Sequence, residues 1–129
     1  MIHTLELVLP ANTAIAAPVR EVVKVGACII VRVSLEYPRG CYWLAHVRVM
    51  LRDHQLYPTT PGDWLESDGE MLTWQDNSPI IDSPYELIVE GYNEDTRYTH
   101  TVRMYLDVTE LTLAGLASVA LTPETAYIG

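Results

Sequence analysis

The sequence predicts an all-β domain, an antiparallel β-sandwich, and three observations lead to that fold class. Short segments rich in β-branched and aromatic residues recur along the chain and are separated by Pro, Gly, Asn and Asp. Apolar and polar residues alternate within several of these segments, which is typical of strands with one buried face. Helical periodicity is essentially confined to the C-terminal end. About seven or eight strands suit the chain length, in an immunoglobulin-like or jelly-roll-like order.

The N-terminal third of the chain contains three predicted strands. A first strand over residues 3–9 would end at Pro10, and it carries three leucines on one face. After a stretch of small residues, a short second strand is expected over residues 19–25. The run 27–35 is almost continuously apolar or β-branched, which predicts a central strand buried on both faces. The three leucines of the first strand are Leu5, Leu7 and Leu9.

A turn at residues 37–40 is predicted to join the central strand to a return strand over residues 42–51, so that the two form a hairpin. Alternate residues of the return strand are apolar, so one face should meet the core and the other should meet water or a partner. In such a hairpin Cys28 lies too far from Cys41 for a disulfide, which predicts two free, buried thiols. The outward positions are His46, Arg48, Met50 and Arg52.

The longest irregular stretch, residues 53–70, contains two prolines, two glycines and five acidic residues. Connecting segments of this kind run over the surface and carry binding residues, so we expect residues 56–70 to form an outward tip that faces a partner. Two further short strands are expected over residues 71–75 and 80–82. The residues expected to meet the partner are Tyr57, Trp64 and Leu65.

The strongest local pattern lies near the C-terminal end, where residues 85–91 and 98–109 both have high β propensity. The polar sequence YNEDTR between them predicts a hairpin turn. The preferred register sets apolar residues opposite one another on one face and Glu86 opposite Arg103 on the other. His100 would then lie in the second strand of this hairpin as an amphipathic strand residue.

One domain is predicted over residues 1–129, with a core over about 3–109 and a C-terminal arm over 110–129. The arm is poor in charge and rich in Ala, Leu and Thr. A short helix over 112–119 and an extended arm that packs on another subunit both fit this composition. Contacts between subunits are expected at the two apolar chain ends, at Leu5, Leu7, Leu9, Leu111, Leu113, Leu116 and Tyr127.

The acidic composition argues against several classes of partner. The chain carries 17 acidic and 8 basic residues, for a formal net charge of −9. Nucleic acids and anionic lipids both require a basic surface, so neither is expected as a partner. The N-terminal segment lacks the basic region of a signal peptide, and no apolar run is long enough to span a bilayer. Synthesis in a cytoplasm without membrane insertion is therefore expected.

The sequence contains no motif for catalysis, a cofactor or a metal. Its four histidines, at positions 3, 46, 54 and 100, lack the spacing of a zinc site. The acidic residues between 63 and 70 do not match a calcium-binding EF-hand loop, although calcium at this loop stays an open alternative. Neither a nucleophile elbow nor a Gly-rich phosphate loop is present. These observations predict a non-enzymatic protein without a cofactor.

The aromatic residues comprise eight Tyr and three Trp, with no Phe. This bias is typical of surfaces that contact partners, because both side chains have an apolar body and a polar tip. Trp64 is expected to be exposed in the long loop, whereas Trp43 and Trp74 are expected at the core or at a sheet edge. Exposed aromatic rings also stack on sugars, so a carbohydrate- or receptor-binding module is the alternative function.

Two runs, HQLYPTTPGDWLESDGE and SPYELIVEGYNEDTRYTHTVRMYLDV, together resemble small β-sandwich virion proteins of tailed double-stranded DNA phages. The resemblance covers residues 54–108 and lies in the pattern of strands and loops, so no site residue follows from it. It implies a head-decoration or minor structural protein of the virion, assembled in the host cytoplasm. Such a protein would bind copies of itself and a capsid or tail lattice, as a homo-oligomer for which a trimer is one option.

Overall fold

The computed structural model describes residues 1–112, and across this range the chain forms ten strands and no helix. None of these residues belongs to a helical segment that could cross a membrane. The strands are β1 (Ile2–Leu9), β2 (Val19–Lys24), β3 (Cys28–Glu36), β4 (Ala45–Leu51), β5 (His54–Tyr57), β6 (Leu65–Glu66), β7 (Met71–Gln75), β8 (Pro79–Ile80), β9 (Glu86–Asn93) and β10 (His100–Glu110).

The strands form two antiparallel sheets. The first sheet has the order β1-β10-β3-β7, with β8 also paired to β3. The second has the order β2-β9-β4-β5, with β6 also paired to β4. The pairs β1·β10, β2·β9, β3·β7 and β4·β5 are nested in sequence, as if one long hairpin had been rolled into two sheets. This is the strand order of a jelly roll, so the predicted antiparallel sandwich is confirmed and the jelly-roll alternative is the one that the chain adopts.

The core lies between the inner faces of the two sheets and follows the alternation of apolar residues. Val47 and Val49 of β4 are fully buried, as their pattern predicts. Opposite them, Leu7 and Leu9 of β1 pack across the sandwich against Gly91 of β9. A Cβ atom at residue 91 would lie 2.8 and 2.7 Å from the Cδ2 atoms of these leucines. The absence of a side chain at Gly91 therefore lets the two sheets approach closely.

The predicted hairpin of residues 85–91 and 98–109 is wrong. β9 pairs with β2 and β4 in one sheet, whereas β10 pairs with β1 and β3 in the other. Glu86 lies opposite Lys24, and the Arg103 guanidinium instead meets Glu6 at 3.0 Å and Glu36 at 3.5 Å. The connection between the strands crosses from one sheet to the other, and strand propensity alone does not distinguish such a crossing from a hairpin turn.

The predicted hairpin of β3 and β4 is wrong for the same reason, since these strands also lie in opposite sheets. β3 is central in its sheet, between β10 and β7, as predicted. Its outer face is not fully buried, because Val31 remains 37% exposed. Cys28 and Cys41 are both buried free thiols, as predicted, and desolvation raises the pKa of each to about 11.

The N-terminal end is an integral strand and not an arm. β1 pairs with β10 along its whole length, and Leu7 and Leu9 are 2% and 0% exposed. The subunit contacts expected at these two leucines therefore do not hold in the folded chain, because their side chains lie in its own core. Leu5 is partly buried against the same core, and the Leu111 amide donates to the Ala27 carbonyl. The remaining expected contacts, Leu113, Leu116 and Tyr127, lie outside the described residues.

Candidate functional site

The jelly-roll order brings four connections together at one end of the sandwich, which we call the loop end. Backbone hydrogen bonds join neighbouring connections: the Asn12 amide donates to the Asp95 carbonyl, and the Glu94 amide donates to the Leu44 carbonyl, both at 2.9 Å. The loop end is therefore one cross-linked surface. Its connections are β1–β2 (residues 10–18), β3–β4 (residues 37–44), β6–β7 (residues 67–70) and β9–β10 (residues 94–99).

A tight turn in the β3–β4 connection has an unusual sequence for its backbone conformation. The Leu44 amide donates to the Cys41 carbonyl at 2.8 Å, which closes a four-residue turn. Both central residues have positive φ, 46° at Tyr42 and 59° at Trp43, as in a type I′ turn. Gly, Asn and Asp dominate these two positions, because a left-handed backbone costs other residues about 1–2 kcal/mol each. We call this segment the aromatic turn.

Both side chains of the aromatic turn project into solvent. Tyr42 is 67% exposed and Trp43 is 55% exposed, so the expectation that Trp43 lies in the core or at a sheet edge is wrong. Exposed apolar rings contribute little burial that would offset the backbone strain. Strain that no packing compensates is characteristic of sites that act on something outside the chain.

Asp68 in the β6–β7 connection holds the aromatic turn in place. Its Oδ1 atom accepts hydrogen bonds from the amides of Gly40 at 2.8 Å and Tyr42 at 3.1 Å. The Tyr42 amide is the main cause of a lowered Asp68 pKa, because these donors stabilise the carboxylate. The Trp43 amide also donates to the Ser67 carbonyl. The β6–β7 connection therefore holds the neighbouring β3–β4 connection by accepting hydrogen bonds from its backbone amides.

Asn93 anchors the β9–β10 connection from within the sandwich. Its side chain is almost fully buried, and its Nδ2 atom donates to the carbonyls of Leu9 at 3.0 Å and Tyr98 at 2.9 Å. Its Oδ1 atom accepts a hydrogen bond from the Asp95 amide. Because these three bonds satisfy most of the amide group, Asn93 fixes the path of a connection that carries Tyr98, which is 64% exposed.

Asp95 continues this support toward the tip of the connection. Its Oδ1 atom accepts hydrogen bonds from the amides of Arg97 and Tyr98, and its Oδ2 atom lies 2.8 Å from the His100 ring. The Arg97 amide, followed by the His100 side chain, lowers the Asp95 pKa. His100 is only 8% exposed, so it is a buried partner of Asp95 rather than the amphipathic strand residue that was expected.

His46 ties the loop end to the outer face of the second sheet. It points outward from β4 yet is only 6% exposed, contrary to the expectation of a solvent-facing residue. Its ring stacks on Tyr92 with centroids 4.3 Å apart. Its two nitrogens meet the carboxylates of Glu66 at 2.7 Å and Glu94 at 2.5 Å. Partners from three different segments therefore cover this side chain.

Trp64 is half-buried and already has partners within the chain. The Arg48 guanidinium lies over its ring, 4.3 Å from the centroid, and Tyr92 meets it edge-on at 4.8 Å. Arg48 in turn pairs with the buried carboxylate of Glu90, which also binds Arg20. One face of Trp64 is therefore occupied, which weakens its expected role as a free contact residue.

The other two contact residues predicted for the long loop lie deeper than expected. Tyr57 is 5% exposed and donates its hydroxyl to Asp76, so its predicted role at a partner surface does not hold. Leu65 is partly buried and packs on the core. The structure thus separates the predicted loop residues from the exposed aromatic residues, which lie in a different connection.

Sequence reasoning missed the aromatic turn because its signal is conformational. The dipeptide Tyr42-Trp43 follows Gly40 closely, but only the backbone reveals that both residues have positive φ.

Within residues 1–112, no group of three or more His, Cys, Asp and Glu side chains is arranged to hold a metal ion. No protein-family model matches the chain, and a search of curated proteins finds no match.

Proposed function

We propose that this protein is a non-enzymatic assembly protein that binds a larger protein lattice through its loop end. The observation that carries the proposal is the aromatic turn, in which two exposed aromatic residues occupy strained positions that favour Gly or Asn. Tyr and Trp are the residues that most often dominate the energy of protein interfaces. The hydrogen bonds that backbone amides of this connection donate to Asp68 and Ser67 order the turn before binding, which reduces the entropy that binding costs.

A virion is the setting that we propose for this lattice, with the chain as a decoration or minor structural protein. Jelly rolls occur among viral capsid proteins as well as lectins, so the architecture is compatible with this role without identifying it. The net charge of −9 favours an electropositive partner surface. In a homo-oligomer, copies of the chain would contact one another through the C-terminal end from Leu111 onward. The loop end would then bind the capsid or tail protein.

The test compares how the wild-type protein and its variants bind to virus particles that were assembled without this protein. Wild-type chain should co-sediment with capsids or tails, and Trp43→Gly should weaken that binding at least tenfold. Val22→Thr is the matched control, because Val22 is 51% exposed on β2, outside the four connections of the loop end. Size-exclusion chromatography with light scattering measures the oligomeric state. A protein that is strictly monomeric and binds neither capsids nor tails would refute the proposal.

Carbohydrate binding is the second candidate, and the same exposed pair of rings favours it. The sequence led us to expect Trp64 as the ring that stacks on a sugar. Arg48 covers one face of that ring, which counts against this role. The available platform is instead Tyr42 and Trp43. Glycan-array binding that Trp43→Gly abolishes and Trp64→Ala retains would favour this candidate over the lattice.

A further inference from the structure

A groove runs along the open side of the sandwich, where the edge strands β5 and β7 of the two sheets face each other. Its volume is about 520 Å³, which lies within the range of ligand sites in proteins. The wall from the second sheet includes Leu56 and Tyr57, and the wall from the first sheet includes Trp74 and Asp76. The groove lies on the side of the molecule, and none of its described lining residues belongs to the aromatic turn.

Asp76 places a carboxylate in this groove, and within residues 1–112 it accepts hydrogen bonds from neutral groups alone. Its Oδ2 atom accepts from the hydroxyls of Tyr57 and Ser78, and its Oδ1 atom accepts from the Asn77 amide at 2.8 Å. None of the described residues that line the groove is Lys or Arg, and His54, which also lines it, forms no ion pair with Asp76. Neutral donors stabilise a carboxylate but leave its negative charge without a counterion.

Aromatic rings lie directly beside this carboxylate. The rings of Tyr57 and Trp74 meet edge-to-face with centroids 5.2 Å apart, and the Tyr57 hydroxyl reaches Asp76. Burial, together with the Asp76 hydrogen bond, raises the pKa of the Tyr57 phenol, so the phenol remains a neutral donor. Trp74 is half-buried, which leaves part of its ring open to the groove.

We propose that this groove binds the guanidinium or ammonium group of a basic side chain from a protein partner. Asp76 would supply the opposite charge, and the Trp74 ring would supply the aromatic surface that attracts an organic cation. The apolar walls at Leu56 and Leu65 suit the methylene stem of such a side chain. Charge complementarity favours a cation as the ligand of the groove. The Asp76 carboxylate repels anions, and a neutral ligand would gain little electrostatic attraction from it.

This proposal is independent of the loop end. A basic side chain in the groove would lie against β5 and β7, whereas the lattice contact proposed above uses the β3–β4 connection. The variant Trp43→Gly should therefore bind the groove ligand as well as the wild type does. Failure of one proposal would leave the other intact.

The experiment titrates the full chain with N-acetyl-arginine amide and follows the indole N–H signals of its three tryptophans by NMR. The neutral isostere N-acetyl-citrulline amide is the matched control ligand. We expect arginine amide to shift the Trp74 signal, citrulline amide to bind at least tenfold more weakly, and Asp76→Asn to weaken arginine binding at least tenfold. Asparagine retains an acceptor for the Tyr57 hydroxyl, and the thermal midpoint of this variant checks that it is folded.

Three outcomes would overturn the proposal. The first is equal affinity for arginine and citrulline amides, which needs no variant protein and so does not depend on folding of Asp76→Asn. The second is unchanged arginine binding in a folded Asp76→Asn protein, which would leave Asp76 as a structural tie between the sheets. The third is a shift of the Trp43 or Trp64 signal with the Trp74 signal unmoved.

Discussion

Replacing Trp43 by Gly and by Ala isolates the backbone strain of the aromatic turn. Both variants remove the same ring, so they lose the same packing and the same exposed surface. At φ 59° alanine keeps the left-handed strain of about 1–2 kcal/mol, whereas glycine has none. Glycine loses more backbone entropy on folding, at a cost of about 0.5–1 kcal/mol. We therefore expect Trp43→Gly to be more stable than Trp43→Ala by about 0.8 kcal/mol, which is the difference between the midpoints of these two ranges.

Urea unfolding at fixed pH measures this difference as a shift in midpoint with an unchanged slope. The matched control is Thr73 in β7, an exposed strand residue, where glycine should be less stable than alanine by about 0.5–1 kcal/mol. The two positions should thus give opposite signs. If Trp43→Ala is more stable than Trp43→Gly, as alanine should be at Thr73, the turn is not strained and the reasoning from strain to function fails.

Three further predictions concern stability, each measurable by urea or thermal unfolding. Asn93→Ala should lower the unfolding free energy by about 3 kcal/mol, because three hydrogen bonds are lost at about 1 kcal/mol each. Gly91→Ala should lower it by about 1–3 kcal/mol, because the new Cβ would lie 3.0 Å from the His46 carbonyl oxygen as well as against two buried leucines. The pKa values of Asp68 and Asp95 are lowered in the folded state, so the stability that they contribute is present above their usual pKa of 3.8 and is lost as pH falls through the lowered values. Asp68→Asn should therefore lose less stability than wild type between pH 5 and pH 2, and an equal loss would contradict this assignment.

Local alternation and strand propensity predicted most of the strands and the inward face of β4, because the side-chain period of a strand is visible in any short window. It placed Val47 and Val49 in the core and β3 at the centre of a sheet. The same information did not determine which strands pair. The connection after Asn93 is polar and short in either topology. What separates β9 and β10 is long-range pairing, of β2 with β9 and of β1 with β10, which no short window of sequence contains.

The candidate site was harder to predict than the fold, because each of its residues depends on partners distant in sequence. His46 follows the strand period as an outward residue, and its burial comes from Tyr92, Glu66 and Glu94. Trp43 is hydrophobic enough for the core, and only the turn closed by the Cys41 carbonyl places it in solvent. Neither the burial of His46 nor the exposure of Trp43 can be predicted from residue type and spacing.

The acidic residues of the chain divide into two groups with different consequences for binding. At the loop end, Asp68 and Asp95 accept hydrogen bonds from backbone amides, and Glu66 and Glu94 bind His46. These four carboxylates already have partners within the chain, and they hold the connections in place. In the groove, Asp76 has no Lys or Arg among the described lining residues. Because Coulomb attraction is screened by salt and apolar contact is not, binding of a basic side chain at the groove should weaken more steeply as ionic strength rises than binding through the aromatic turn.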